Sequence, residues 1–149
     1  MILREATIDD IDNYMIVRMA VKENVLNNPV LVPREDNIDY LTKFGKGWVF
    51  EIENKIVGFS IVGLTQRNVW ALFVHPEFEG KGIGKKLHDV MIDWYFEQTK
   101  EKIWLGTEQN TKAETFYKKN GWTEVGMHGD DETKFEMAFE DWKKIATNR

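Results

Sequence analysis

The chain has 149 residues, 42% of them apolar and 30% charged, with a net charge of −5 and no cysteine. That length suits one domain over residues 1–149 with a buried core, and the composition excludes a disordered chain. The acidic balance argues against a nucleic-acid or anionic-membrane partner, and the missing thiols remove disulfides, thiolate metal sites and cysteine nucleophiles while fitting a cytoplasmic setting.

Met1-Ile2-Leu3-Arg4-Glu5 lacks the apolar stretch of a secretory signal, and no apolar run reaches membrane-spanning length, so neither is expected. Residues 2–6 read as a strand. Thr7 and Asp10 have capping-box spacing, and Ile11, Tyr14, Met15, Arg18, Met19 and Val25 predict a helix with one apolar face. Asn27-Asn28-Pro29 breaks it. Pro33 can open a second helix, with Ile38, Leu41 and Phe44 inward and Gly45 at its end. Residues 48–52 and 56–64 are rich in β-branched and aromatic side chains and form a hairpin across Glu53-Asn54-Lys55.

Gln66-Arg67-Asn68 then turns into residues 69–74, a nearly continuous apolar run expected to be a buried central strand. A glycine-rich loop leads into a long helix with Ile83, Leu87, Val90, Met91 and Trp94 on one face, followed by a strand over 102–106. Asn110 is expected to cap a helix carrying Ala113, Phe116 and Tyr117, which stops at Gly121. Residues 122–127 and 133–139 form a last hairpin around Gly129-Asp130-Asp131, with Phe135, Met137 and Phe139 alternating inward, and a short helix starts at Asp141. The order β-α-α-β-β-β-α-β-α-β-β predicts an α/β fold, a mixed sheet with helices on its faces.

The loop is the richest chemical feature. Gly80, Gly82 and Gly84 fall at every second position between a strand ending Val74-His75-Pro76 and a helix start. Backbone N–H groups at a helix start have no internal partner, the helix dipole adds positive potential, and glycine lets an anion approach closely. A mononucleotide P-loop fits poorly, because Gly84-Lys85-Lys86 lacks the hydroxyl that would meet magnesium. A dinucleotide loop also fits poorly, because only Ile83 separates the last two glycines and the next strand meets no acid before Glu108. A pyrophosphate cradle for a coenzyme A thioester is the third reading. The bland one is a tight strand–helix connection that needs small residues.

This segment resembles the acyl-CoA-binding motif of the GNAT superfamily of N-acetyltransferases, Gln/Arg-x-x-Gly-x-Gly/Ala after a strand ending Val-x-Pro. Gly82 and Gly84 take the glycine places, and Glu79 stands where Gln or Arg is usual. A second segment, Asn110 to Trp122, resembles the family's Asn-x-x-Ala-x-x-Phe-Tyr-x-x-x-Gly-Phe. The resemblance implies acetyl-CoA as cosubstrate, with its pyrophosphate on Glu79, Gly80, Lys81, Gly82, Ile83, Gly84 and Lys85. It implies pantetheine pairing along Leu72, Phe73 and Val74, and a coenzyme contact from Asn110. It implies Tyr117 as the general acid that protonates the leaving thiolate, and the Leu72 amide as an oxyanion donor.

Some members of the resembled family carry a glutamate as general base at the start of the central strand; the matching place here is Asn68, which cannot serve. Glu108 and His75 are the alternatives along the chain. The three histidines are far apart, so no metal is expected. A non-catalytic acyl-CoA-binding module on the same fold is the second hypothesis, and a nucleotide-binding protein the third. The acceptor is an amine on a small molecule or a protein, its pocket drawn from the region of Glu23, Asn24, Arg34, Glu35 and Asp36 with Trp48 and Trp70. A homodimer is what many members of the resembled family would suggest.

Overall fold

In the computed structural model, which describes residues 1–26 and 28–149, Thr7 and Asp10 close the expected capping box. The Thr7 N–H donates to Asp10 Oδ2 at 2.7 Å, and the Asp10 N–H donates to the Thr7 carbonyl at 2.9 Å. Both Asp10 oxygens also accept from the Arg4 guanidinium at 2.8 Å, while Arg4 Nε reaches Glu51 at 3.2 Å. Hydrogen bonding from Arg4 holds the Asp10 carboxyl below the usual carboxylate range, against the effect of its burial.

A 3-10 turn over Ile8–Asp10 leads into α1, Ile11–Ala20, which buries Ile11, Tyr14 and Val17. Val25, expected on its apolar face, lies beyond the helix and is exposed. The chain leaves the helical region at Val21, and Asn24 takes a left-handed conformation that asparagine tolerates. Of the expected break at Asn27-Asn28-Pro29, Asn27 lies outside the described residues. Pro33 caps α2, Arg34–Asp39, from the position before its first turn rather than within it; its carbonyl receives the Asp36 and Asn37 N–H groups at 3.1 and 3.3 Å. A π turn over Tyr40–Phe44 carries the chain to Gly45.

The chain divides into two compact units, Met1–Met91 and Ile92–Arg149. In the first, β1 (Ile2–Glu5), β2 (Gly45–Ile52), β3 (Lys55–Gly63) and β4 (Asn68–Val74) pair in that order, all antiparallel. Glu53 and Asn54 both have positive φ, the two-residue turn that suits a hairpin's twist. One face of this ladder packs on α1: Tyr14 stacks on Phe59 at 4.4 Å, and its hydroxyl donates to Asn37 at 2.5 Å, tying α1 to α2. The other face meets α3, Ile83–Gln98, whose Leu87 carbonyl accepts from Ser60 Oγ at 3.1 Å. β4 is half-buried rather than buried, with only Ala71 fully covered. Its Trp70 and Phe73 lie at the margin of the α1 core, so its apolar run does not mean burial on both faces.

In the second unit, β5 (Ile103–Glu108), β7 (Glu132–Met137) and β6 (Thr123–His128) form an antiparallel ladder in that order. α4, Lys112–Lys119, covers the face that buries Leu105, Thr133 and Phe135. α5 spans Phe139–Thr147. Phe139 therefore opens this helix instead of closing the strand, and joins Phe96 and Trp142 in an aromatic cluster, with Trp142 Nε1 donating to Asp93 at 2.8 Å. Among the described residues, seven strands and the helices follow one another in the order expected.

Candidate functional site

β4 presents its two edges differently. His75 N–H donates to Val57 O on β3 at 2.8 Å, and Phe73 lies opposite Phe59. Antiparallel bonding alternates along a strand, so the Phe73 amide turns toward β3, while the amides of Leu72 and Val74 turn to the opposite edge. Leu72 and Val74 thus fit main-chain pairing with an extended ligand along that edge, and Phe73 fits it less.

After β4, Pro76–Phe78 makes a 3-10 turn capped by His75, whose Nδ1 accepts from the Glu77 N–H at 3.2 Å. That bond uses one ring nitrogen of His75 as an acceptor in building the loop. Glu79 ends the turn and is exposed. Gly80 and Gly82 have φ of 77° and 80°, which other residues adopt at a cost, and a Cβ at either would meet nothing within 4 Å. Their glycines answer to backbone conformation and leave an open approach to the loop. Gly84 differs, because it lies inside the first turn of α3. The first helical bond runs from Lys86 N–H to Gly82 O at 3.2 Å, so the amides of Ile83 and Gly84 stand ahead of the helix's own bonding. Lys81 sits over the Phe78 ring at 5.7 Å, and Lys85 pairs with Asp89 at 2.9 Å.

The first unit therefore brings the loop and the end of β4 together. Asn110, Tyr117 and Glu108 belong to the second unit. Asn110 is not the helix cap: it is exposed with φ of 58°. Thr111 caps α4, accepting from Glu114 N–H at 3.4 Å and donating to the Glu108 carbonyl at 2.8 Å. β5 runs on to Glu108, two residues past its expected end, and that leaves Asn110 in the turn. Tyr117 is buried between Phe116, Trp122 and Phe135, and burial pushes its phenol well above the usual tyrosine range.

Side chains alternate across β5, so Glu108 lies on the face opposite the one that holds Tyr117. It pairs in register with Glu132. Glu132 carries a carboxylate that sequence reasoning passed over: a Cβ at Gly106 would stand 2.8 Å from its Oε1 and 3.2 Å from His128. Alternation along β7 was the signal that could have found it. A shallow depression of about 490 Å³ on α1, lined by Asp12, Met15, Ile16, Met19 and Ala20, holds none of the expected site residues. Among the described residues no cluster of three or more His, Asp or Glu could hold a metal, and no helix is long and apolar enough to cross a membrane.

The acetyltransferase (GNAT) family pattern matches residues 14–122. A relative named as an uncharacterized N-acetyltransferase, from Archaeoglobus fulgidus, is 29% identical, the match covering 77% of this chain and 88% of the relative. The ribosomal protein bS18-alanine N-acetyltransferase of Haemophilus influenzae is 29% identical over 50% of this chain and 52% of its own. Among solved structures, the PaiA N-acetyltransferase of Thermoplasma acidophilum, in complex with coenzyme A, superposes with a TM-score of 0.80 at 15% identity, over 92% of this chain and 98% of that one. That last likeness is one of fold.

Proposed function

The chain belongs to the acetyltransferase (GNAT) family, and from that premise we propose that it transfers an acetyl group from acetyl-CoA to a primary amine by direct attack in a ternary complex. One catalytic domain over residues 1–149 is part of the proposal, supported by a family match that runs through both units. Acetyl-CoA supplies the activated acyl group. The observation that carries the reading is the loop: Gly80 and Gly82 with positive φ and open Cβ directions, followed by the leading amides of α3. Those groups suit a pyrophosphate better than any side chain nearby.

Glu79 to Lys85 then bind the coenzyme's phosphates, the glycine amides facing them and the exposed Glu79 side chain turned away from them. Leu72 and Val74 orient the pantetheine through the amides that turn away from β3, and the Leu72 N–H donates to the thioester oxygen as negative charge gathers there. Phe73 packs rather than pairs. Tyr117 holds a proton at its buried hydroxyl throughout the neutral range, because its phenol titrates above the ordinary value, and gives it to the departing sulfur. Glu108, from the opposite face of the β5–β7 ladder, takes the proton of the incoming ammonium. Asn110 contacts the coenzyme from the turn before α4. The bS18-alanine relative acts on a protein amine; for this chain a small-molecule or protein amine is the acceptor class.

Calorimetry with acetyl-CoA tests the binding half, and thiol release across an amine panel tests the transfer. No binding at high micromolar ligand would sink the proposal. Tight binding without thiol release on any amine favours a non-catalytic acyl-CoA-binding module on this fold.

A further inference from the structure

Arg18, in the last turn of α1, is a half-buried cation whose contacts are unlike those of its neighbours. Its guanidinium lies 4.3 Å from the centroid of the Phe73 ring, and its Nη1 donates to the Asn24 carbonyl at 2.9 Å. Arg4 is met by Asp10 and Glu51, and Arg34 by Asp12. Among the described residues no carboxylate forms an ion pair with Arg18, although it is more desolvated than a surface arginine and burial lowers its pKa. An aromatic face offsets part of that cost, and one carbonyl uses one of the five N–H donors of the guanidinium fork.

The placement gives this cation a use. Phe73 sits between Leu72 and Val74, on the face of β4 that α1 covers, beside Phe59 at 5.7 Å. α3 occupies the other face. An acceptor reaching the Leu72–Val74 segment from the α1 side therefore passes the Arg18 guanidinium. A planar fork pressed on a ring is held in one orientation, which suits bidentate pairing with a carboxylate. We propose that Arg18 is a specificity residue that pairs with a carboxylate on the acceptor, so that the amine acetylated belongs to an amino-acid-like molecule. This rests on the acetyl-transfer reading given above.

The test measures acetyl-CoA-dependent thiol release on ω-amino acids of increasing chain length and on their carboxamides, with 2-aminoethyl phosphate alongside. At least one acid is expected to exceed its amide in kcat/KM by roughly tenfold to a hundredfold. In Arg18→Gln that ratio falls to about one, and in Arg18→Lys part of it survives; an arginine that only braces the fold would shift Tm and leave the ratio alone. Should Arg18→Gln not fold, the wild-type ratio and the Arg18→Lys ratio decide. Amides used as well as acids, a ratio unchanged in Arg18→Gln, preference for the phosphate, or no turnover on any of these amines overturns the proposal. Acetyl-CoA binding by calorimetry and turnover on unrelated primary amines report separately on the acetyl-transfer reading.

Discussion

Tyr117 and Trp122 meet edge to face, their ring centroids 5.6 Å apart at 70°. The Trp122 N–H also donates to the Tyr117 carbonyl at 3.0 Å, so the end of α4 is clamped through the backbone as well as through the rings. The ring of Tyr117 is therefore structural, and only its hydroxyl is left for chemistry. Tyr117→Phe keeps the packing and is expected to leave Tm nearly unchanged, while kcat falls on the order of a hundredfold and acetyl-CoA affinity stays within about twofold. A general acid at this position must be protonated, and burial raises the Tyr117 pKa, so wild-type turnover should show no loss from this group until well into the alkaline range. An unchanged kcat in Tyr117→Phe would remove Tyr117 from its role.

Gly82 and Gly84 separate conformation from close approach. Gly82→Ala meets no atom within 4 Å but must hold φ near 80°, so it should cost about 1 kcal/mol of stability in urea unfolding. Gly84→Ala sits in the first turn of α3 and should leave stability unchanged or slightly raised. Both should weaken acetyl-CoA binding in calorimetry. Full affinity in Gly84→Ala would place the phosphates elsewhere.

Glu108 and Glu132 face each other across β5 and β7, like charges in one cross-strand pair. Glu108→Gln should lower kcat/KM on the order of a hundredfold if it is the base. Glu132→Gln should keep turnover within a few-fold and raise stability by about 0.2–1 kcal/mol as the repulsion goes. The reverse pattern in steady-state kinetics would move the base to Glu132.

Asp10 is ionised and tied to Arg4 in the folded chain, with a pKa below its unfolded value of 3.8. Its contribution is present above that unfolded pKa and is lost as pH falls through the folded one. Asp10→Ala should cost about 1–2 kcal/mol at pH 6, discounted for the part-exposed Arg4, and progressively less below about pH 4. Urea titrations of both proteins at the two pH values check this.

Much of the architecture is written locally. The Thr7–Asp10 box, the Glu53-Asn54 turn and the alternation of Phe135 and Met137 each depend on neighbours within a few residues, and each is present. The same holds for the glycine loop, where strand end, glycine spacing and helix start are contiguous in the chain. Where local options are nearly equal, tertiary context chose between them. Asn110 and Thr111 can both cap a helix, and the extension of β5 to Glu108 gave the place to Thr111. Phe139 fits a strand or a helix start, and the aromatic partners Phe96 and Trp142 drew it into α5.

By itself the sequence determined the order of elements, the glycine loop and the two motifs, because these are patterns of spacing along one chain. Only the tertiary structure decided which amides of β4 turn away from β3, that Glu132 stands over Gly106, and that Arg18 rests on Phe73. Those relationships arise from strand register and from the packing of α1 on the sheet, which join residues far apart in sequence and leave no period to read.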